Sequence, residues 1–211
     1  MSAEAQLRAE MVALAASLFA RGFSVGSAGN ISARLPDGYL MTPTNSSLGS
    51  LEAGRISRLD RDFAHVGGDK PSKEVFMHRA FYLARPDAGA VVHLHSTMAT
   101  AVACLPDVDA DNPIPPLTPY FVMRVGRRMP VVPYYRPGDA AMEPAIHDAA
   151  KGAKAVLLAN HGPVVSGATL RDAVFVAEEL EEAAKLFLLL RGQPMRLLTA
   201  GQVDDLLSTF G

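Results

Sequence analysis

The chain has 211 residues, of which 49% are hydrophobic and 20% charged, with a net charge of −2. That balance predicts one globular domain over residues 1–211 and excludes a disordered or collagen-like chain. It gives no basic footprint for nucleic acid or an anionic membrane, and no apolar run approaches the ~18 residues of a membrane span.

Leu7, Met11, Leu14, Leu18 and Phe19 recur at helical spacing, so a helix is expected over residues 3–21, ended by Gly22. Its charges at Glu4, Arg8 and Glu10 are unlike a signal peptide. Pro36-Asp-Gly38 predicts a hairpin turn between strands at 31–35 and 39–42. Two polar or Gly/Pro-rich loops, 42–47 and 67–72, bracket a stretch without clear periodicity. Ser72 reads as the N-cap of a helix whose buried face carries Val75, His78, Phe81 and Tyr82, and Arg85-Pro86 ends it. A strand is expected at 90–95 and a small-residue helix from 97 to 105, with Cys104 as a buried thiol. A single cysteine in such a chain suggests a reducing, cytoplasmic setting. Residues 106–119 are proline-rich and irregular, and periodicity leaves Phe121-Val-Met123 open between strand and helix. Further on, strands are expected at 129–133, 155–158 and 164–166, and helices at 140–151, 170–190 (capped by Thr169) and 202–210. Strands and helices mixed along the whole length predict a three-layer α/β/α domain around a mixed, mostly antiparallel sheet.

The chemistry concentrates at Ala90-Val-Val-His-Leu-His-Ser96. Strand side chains alternate, so His93 and His95 project from one side and supply two ligands of a metal site. His161, held at a strand-to-turn junction by Gly162-Pro163, is placed to be a third. Glu74 is available as a fourth ligand, an acid/base, or each in turn. Chance placement of a His-x-His pair on a sheet is the competing reading. His78, one helical turn after Glu74, reads as a core histidine hydrogen-bonded to a carboxylate. His65 and His147 lie in polar surroundings and carry no role. Asn30 beside Gly29, then Thr44, Asn45 and Ser46, and finally Ser72 offer uncharged donors of the kind a phosphate needs. Each loop alone is equally an ordinary turn or cap.

Gly29-Asn-Ile-Ser32, Thr42-Pro-Thr44, Pro71-Ser-Lys-Glu74, Arg85-Pro-Asp87, Val91-Val-His-Leu-His95 and Asn160-His-Gly162 together, in that order, resemble the signatures of the class II aldolase/adducin superfamily. The resemblance spans the chain from the first helix to the long helix near residue 180. It implies a divalent ion, most often Zn2+ with Mn2+ or Co2+ as alternatives, on His93, His95 and His161, with Glu74 as ligand or acid/base. It implies phosphate contacts from Asn30, Thr44, Asn45 and Ser72, a catalytic tyrosine at Tyr120, and a homotetramer with interfacial active sites. Lys73 and Asn45 depart from the fuculose-phosphate aldolase pattern, which has a small polar residue and a glycine there. The fuller match is to the branch that decarboxylates 3-oxo-tetronate 4-phosphates to dihydroxyacetone phosphate and CO2 through an enediolate stabilised by the ion. Lys73 would then meet the substrate's carboxylate or phosphate. The same scaffold serves sugar-phosphate aldolases, ribulose-phosphate 4-epimerases and the non-catalytic adducin head, which stay open as alternatives.

Overall fold

The computed structural model describes residues 2–210; the two terminal residues of the expected 1–211 domain lie outside them. Helix α1 (Ala3–Ala20) starts under Ser2, whose hydroxyl accepts from the Ala5 N–H. Strands β1 (Asn30–Leu35) and β2 (Gly38–Met41) form the expected hairpin, with Leu35 opposite Gly38. Two short 3-10 turns lead to β3 (Ser57–Leu59) and β4 (His65–Gly67), and then comes α2 (Val75–Ala84). β5 (Ala90–His93), α3 (Thr97–Ala103), α4 (Pro119–Val125) and β6 (Val131–Val132) follow. The chain closes with α5 (Glu143–Ala150), β7 (Ala155–Leu158), β8 (Gly162–Gly167), α6 (Leu170–Leu190) and α7 (Ala200–Phe210).

All eight strands join one sheet in the order β4-β3-β2-β1-β5-β8-β7-β6. Every pairing is antiparallel except β6 with β7. Alternation along the strands sorts the core onto two faces. Ile31, Leu40, Val92, Leu157 and Val165 pack against α1, α3, α4 and α6. Met41, Val91, Val156 and Val164 pack against α2 and α5 on the other side. The expected three-layer α/β/α architecture with a mixed, mostly antiparallel sheet is therefore present.

Several local expectations change. β3 and β4 are too short, and too interrupted by charge, for period-2 alternation to reveal them. The undecided Phe121-Val-Met123 is helical, because Pro119 sits in the first turn and Thr118 caps Phe121. The strand expected at 129–133 shrinks to two residues between Pro130 and Pro133. The helix expected at 140–151 opens as a 3-10 turn over Ala140–Met142. Helix α2 begins at Val75 with Glu74 as its N-cap residue; Ser72 lies just before, its hydroxyl accepting the Glu74 N–H. Cys104 is exposed, not buried, because α3 stops at Ala103 and the next residue turns off the packed face.

Candidate metal centre and adjoining cavity

Two antiparallel strands bring the first groups together. Asn30 opens β1 directly opposite His93 at the end of β5, so their side chains leave the same face as neighbours. Strand β5 ends at His93, but Leu94 N–H still donates to the Pro163 carbonyl at 3.3 Å, and the alternation carries on to His95. The chain can turn here because Gly29, at φ +79°, lies against the His93 carbonyl; a Cβ at Gly29 would sit 2.9 Å from that oxygen. His161 arrives from the β7–β8 turn, between Asn160 at φ 56° and Gly162 at φ 152°. At Gly162 a Cβ would stand 2.4 Å from the Leu94 carbonyl oxygen, so only glycine lets β8 press this close.

The three imidazoles converge on their Nε2 atoms. His95 Nε2 lies 3.1 Å from His93 Nε2 and 3.1 Å from His161 Nε2. His93 Nδ1–H donates to the Pro163 carbonyl at 2.9 Å, which leaves its Nε2 bare. Burial pushes the His93 pKa well below the ordinary histidine value, and the neighbouring His161 and His95 lower it further. Burial likewise lowers His95 and His161, against the pull of the Glu74 carboxylate. All three are therefore held neutral, and at most one proton can be shared among nitrogen atoms this close. Converging neutral imidazole lone pairs are what a divalent cation binds. Metal–nitrogen bonds of about 2.0–2.1 Å place tetrahedral ligand atoms roughly 3.3 Å apart, close to the spacing here. The Glu74 carboxylate stands 3.8 Å from His93 Nε2 and 3.7 Å from His161 Nε2. Those separations exceed hydrogen bonds, and with neutral imidazoles they are not ion pairs.

Beside the cluster lies a cavity of about 280 Å³. Its wall includes Gly29, Asn30, Thr44, Asn45, Ser72, Lys73, Glu74 and His95. The two polar loops are clamped together by the Pro43–Pro71 bridge, with Thr44 N–H donating to the Lys70 carbonyl at 2.9 Å and Ser72 N–H to the Thr42 carbonyl at 3.3 Å. Asn45 adopts φ 57°, a left-handed turn that asparagine tolerates. Lys73 is the one lysine or arginine on this wall among the described residues. Larger cavities, about 340 Å³ near Arg85 and Lys154 and about 380 Å³ near Tyr120, contain none of these histidines.

The chain thus gathers His93, His95, His161 and Glu74 at one point, with Asn30, Thr44, Asn45, Ser72 and Lys73 beside them. Tyr120 is not gathered. It is 65% exposed on α4 and lines the cavity of Arg21, Phe23 and Phe175. Asn30 also differs from a free anion donor. Its Nδ2 donates to Glu74 Oε2 at 2.8 Å and its Oδ1 meets His78 Nε2 at 2.5 Å. His78 is buried, as expected, but reaches the carboxylate only through Asn30, and its other nitrogen meets Ser32 Oγ at 2.7 Å. His65 bonds only the Gly67 and Gly68 carbonyls, and His147 lies beside Asp148. Glu181 of α6 gave no signal in the sequence. It accepts from the Met98 and Ala99 N–H groups at 2.8 Å each, capping α3 where the Ser96 side chain does not, and so braces the segment that carries His95. A glutamate among the acidic residues of a long helix reads as solvated until the tertiary contact is seen.

The sheet and the histidine cluster define a class II aldolase-type chain. Residues 9–188 match the Class II Aldolase and Adducin N-terminal domain, and the protein belongs to that family. The 3-oxo-tetronate 4-phosphate decarboxylase of Escherichia coli strain K12 is 52% identical over 206 residues, 97% of each chain. The crystal structure of YgbL from Klebsiella pneumoniae matches with a TM-score of 0.93 at 52% identity, covering 98% of this chain and 100% of that one. An L-fuculose phosphate aldolase of Escherichia coli is 35% identical over 191 residues, 90% of this chain and 86% of its own.

Proposed function

We propose that this protein is a metal-dependent carboxy-lyase that converts a 3-oxo-tetronate 4-phosphate to dihydroxyacetone phosphate and CO2. The observation that carries this reading is near-full-length identity of 52% to a decarboxylase of that name, against 35% to a fuculose-phosphate aldolase. The cavity chemistry agrees with it. The three histidines and Glu74 would hold a divalent ion, Zn2+ by preference, which when bound supplies a Lewis acid to the substrate's carbonyl. Thr44, Asn45, Ser72 and the remaining Asn30 N–H form the phosphate subsite. Lys73 adds the single cation that a substrate carrying both carboxylate and phosphate calls for. With the substrate so oriented, the C1–C2 bond breaks, CO2 leaves, and the electron pair enters the C3 carbonyl. Glu74 would take a proton from solvent, pass it to C2 and return to the carboxylate that faces Asn30. The active form is a cytoplasmic homotetramer in which Tyr120 serves the site of a neighbouring copy, since within its own chain it faces another cavity.

An assay for dihydroxyacetone phosphate, run over four-carbon keto-acid phosphates and ketose phosphates, tests the reading. Turnover of the keto acid with equimolar CO2 supports it. Cleavage of a ketose phosphate without CO2 returns the function to the aldolases, and epimerisation without cleavage to the 4-epimerases.

A further inference from the structure

The α2 face of the sheet carries a polar line of which the reaction outlined above uses only the Glu74 and Asn30 end. Glu74, His78 and Tyr82 recur every four residues along α2 and its N-cap, and Asn30 and Ser32 lie two apart on β1. Four helical residues advance about 6 Å and two strand residues about 6.6 Å, so the two rows interdigitate. The result is an unbroken chain. Tyr82 Oη lies 2.9 Å from Ser32 Oγ, and Ser32 Oγ 2.7 Å from His78 Nδ1. His78 Nε2 lies 2.5 Å from Asn30 Oδ1, and Asn30 Nδ2 2.8 Å from Glu74 Oε2.

Elementary donor and acceptor chemistry gives this chain a direction. An ionised carboxylate only accepts, so the Asn30 NH2 must face Glu74 and Oδ1 must face His78. His78 must then present Nε2–H, and as a neutral ring it leaves Nδ1 to accept. Ser32 donates to Nδ1, and its oxygen takes the Tyr82 proton. Burial supports one protonation state throughout, pushing His78 down to about 3 and Tyr82 well up. Every donor in the line therefore points toward Glu74.

We propose that His78 is a positioning residue of the reaction: through Asn30 it fixes the amide that aims the Glu74 carboxylate, with Ser32 and Tyr82 setting the imidazole tautomer. The proposal rests on the role given to Glu74 above. Without His78 the Asn30 amide is free to rotate and set its oxygen against the carboxylate, which turns Glu74 away from the cluster. A ladder that merely seats α2 on the sheet would have no such effect on turnover.

Two variants separate these roles. In His78→Phe, folded and with wild-type metal content, kcat should fall about 10–100-fold while KM moves less than about threefold. His78→Gln keeps an Nε2–H for Asn30 and should recover most of that loss. NMR of 15N-histidine-labelled wild-type protein should show His78 as the Nε2–H tautomer. A metal-loaded His78→Phe with wild-type kcat overturns the proposal. So do equal losses in both variants that track melting temperature, and so does the Nδ1–H tautomer. Should His78→Phe not fold, Ser32→Ala carries the test: a lowered kcat is expected, and wild-type kcat with an unchanged tautomer overturns it. Ratios are taken on whichever substrate the wild type turns over. A wild type inactive on 3-oxo-tetronate 4-phosphate therefore counts against the function alone, and the tautomer decides the direction of the line without turnover.

Discussion

His93 spends its Nδ1–H on the Pro163 carbonyl and turns a bare Nε2 toward two neutral partners at the centre of the cluster. An imidazole so committed offers only a lone pair at Nε2, for a cation or for the N–H of a neighbouring ring. His93→Ala and His95→Ala should accordingly lose bound metal and activity together, checked by elemental analysis beside turnover. Glu74→Gln keeps the shape and removes the proposed proton donor, so kcat should fall by about 100-fold or more with the fold intact. Near-normal turnover would remove Glu74 from the chemistry. His78 makes a separate statement about stability. Its pKa falls from 6.5 in the unfolded chain to about 3 when folded, so the unfolded state binds the extra proton between those values. Folding stability contributed by the neutral buried ring is present above pH 6.5 and is lost as pH falls toward 3, by about 1.4 kcal/mol per pH unit. Denaturant unfolding between pH 4 and 6 should show a shallower acid slope in His78→Phe than in the wild type.

At the scale of elements, the site stands where β1, β5 and the β7–β8 turn end side by side and two glycines let their backbones touch. Gly162→Ala should destabilise the protein by more than about 2 kcal/mol, because its Cβ meets the Leu94 carbonyl at a positive φ. A melting temperature within a degree of the wild type would contradict that packing. Glu181→Ala removes two charge-assisted bonds to the N-terminus of α3 and should cost about 2 kcal/mol. Much of this arrangement was legible beforehand. Period-2 alternation placed His93 and His95 on one face, and the Gly-Pro pair after His161 marked a rigid turn. What stayed hidden is tertiary. The β3–β4 ribbon is too short to carry a period, Glu181 looks like any surface glutamate of α6, and Asn30 reads as a loop donor until its partners appear. The Tyr82–Ser32–His78 line depends on the crossing of α2 over β1, which spacing along one element does not reveal. Cys104 is exposed because α3 ends at Ala103, two residues earlier than the spacing predicts, and the cap residue turns into solvent.

Over the whole molecule, one sheet separates a large helical layer of α1, α3, α4 and α6 from a smaller one of α2 and α5. The metal centre and cavity open on the smaller side, and Tyr120 belongs to the larger. A single chain therefore brings His93, His95, His161 and Glu74 together beside the two polar loops, and leaves Tyr120 apart from them. No helix among the described residues is long and apolar enough to cross a membrane. The central claim is that this assembly breaks a carbon–carboxylate bond with a divalent ion in place. Its most direct test is the release of CO2 and dihydroxyacetone phosphate from 3-oxo-tetronate 4-phosphate, measured before chelation, after it, and after metal is restored. Equimolar products that vanish with the metal and return with it are predicted; unchanged CO2 release from chelated, metal-free protein would contradict the account.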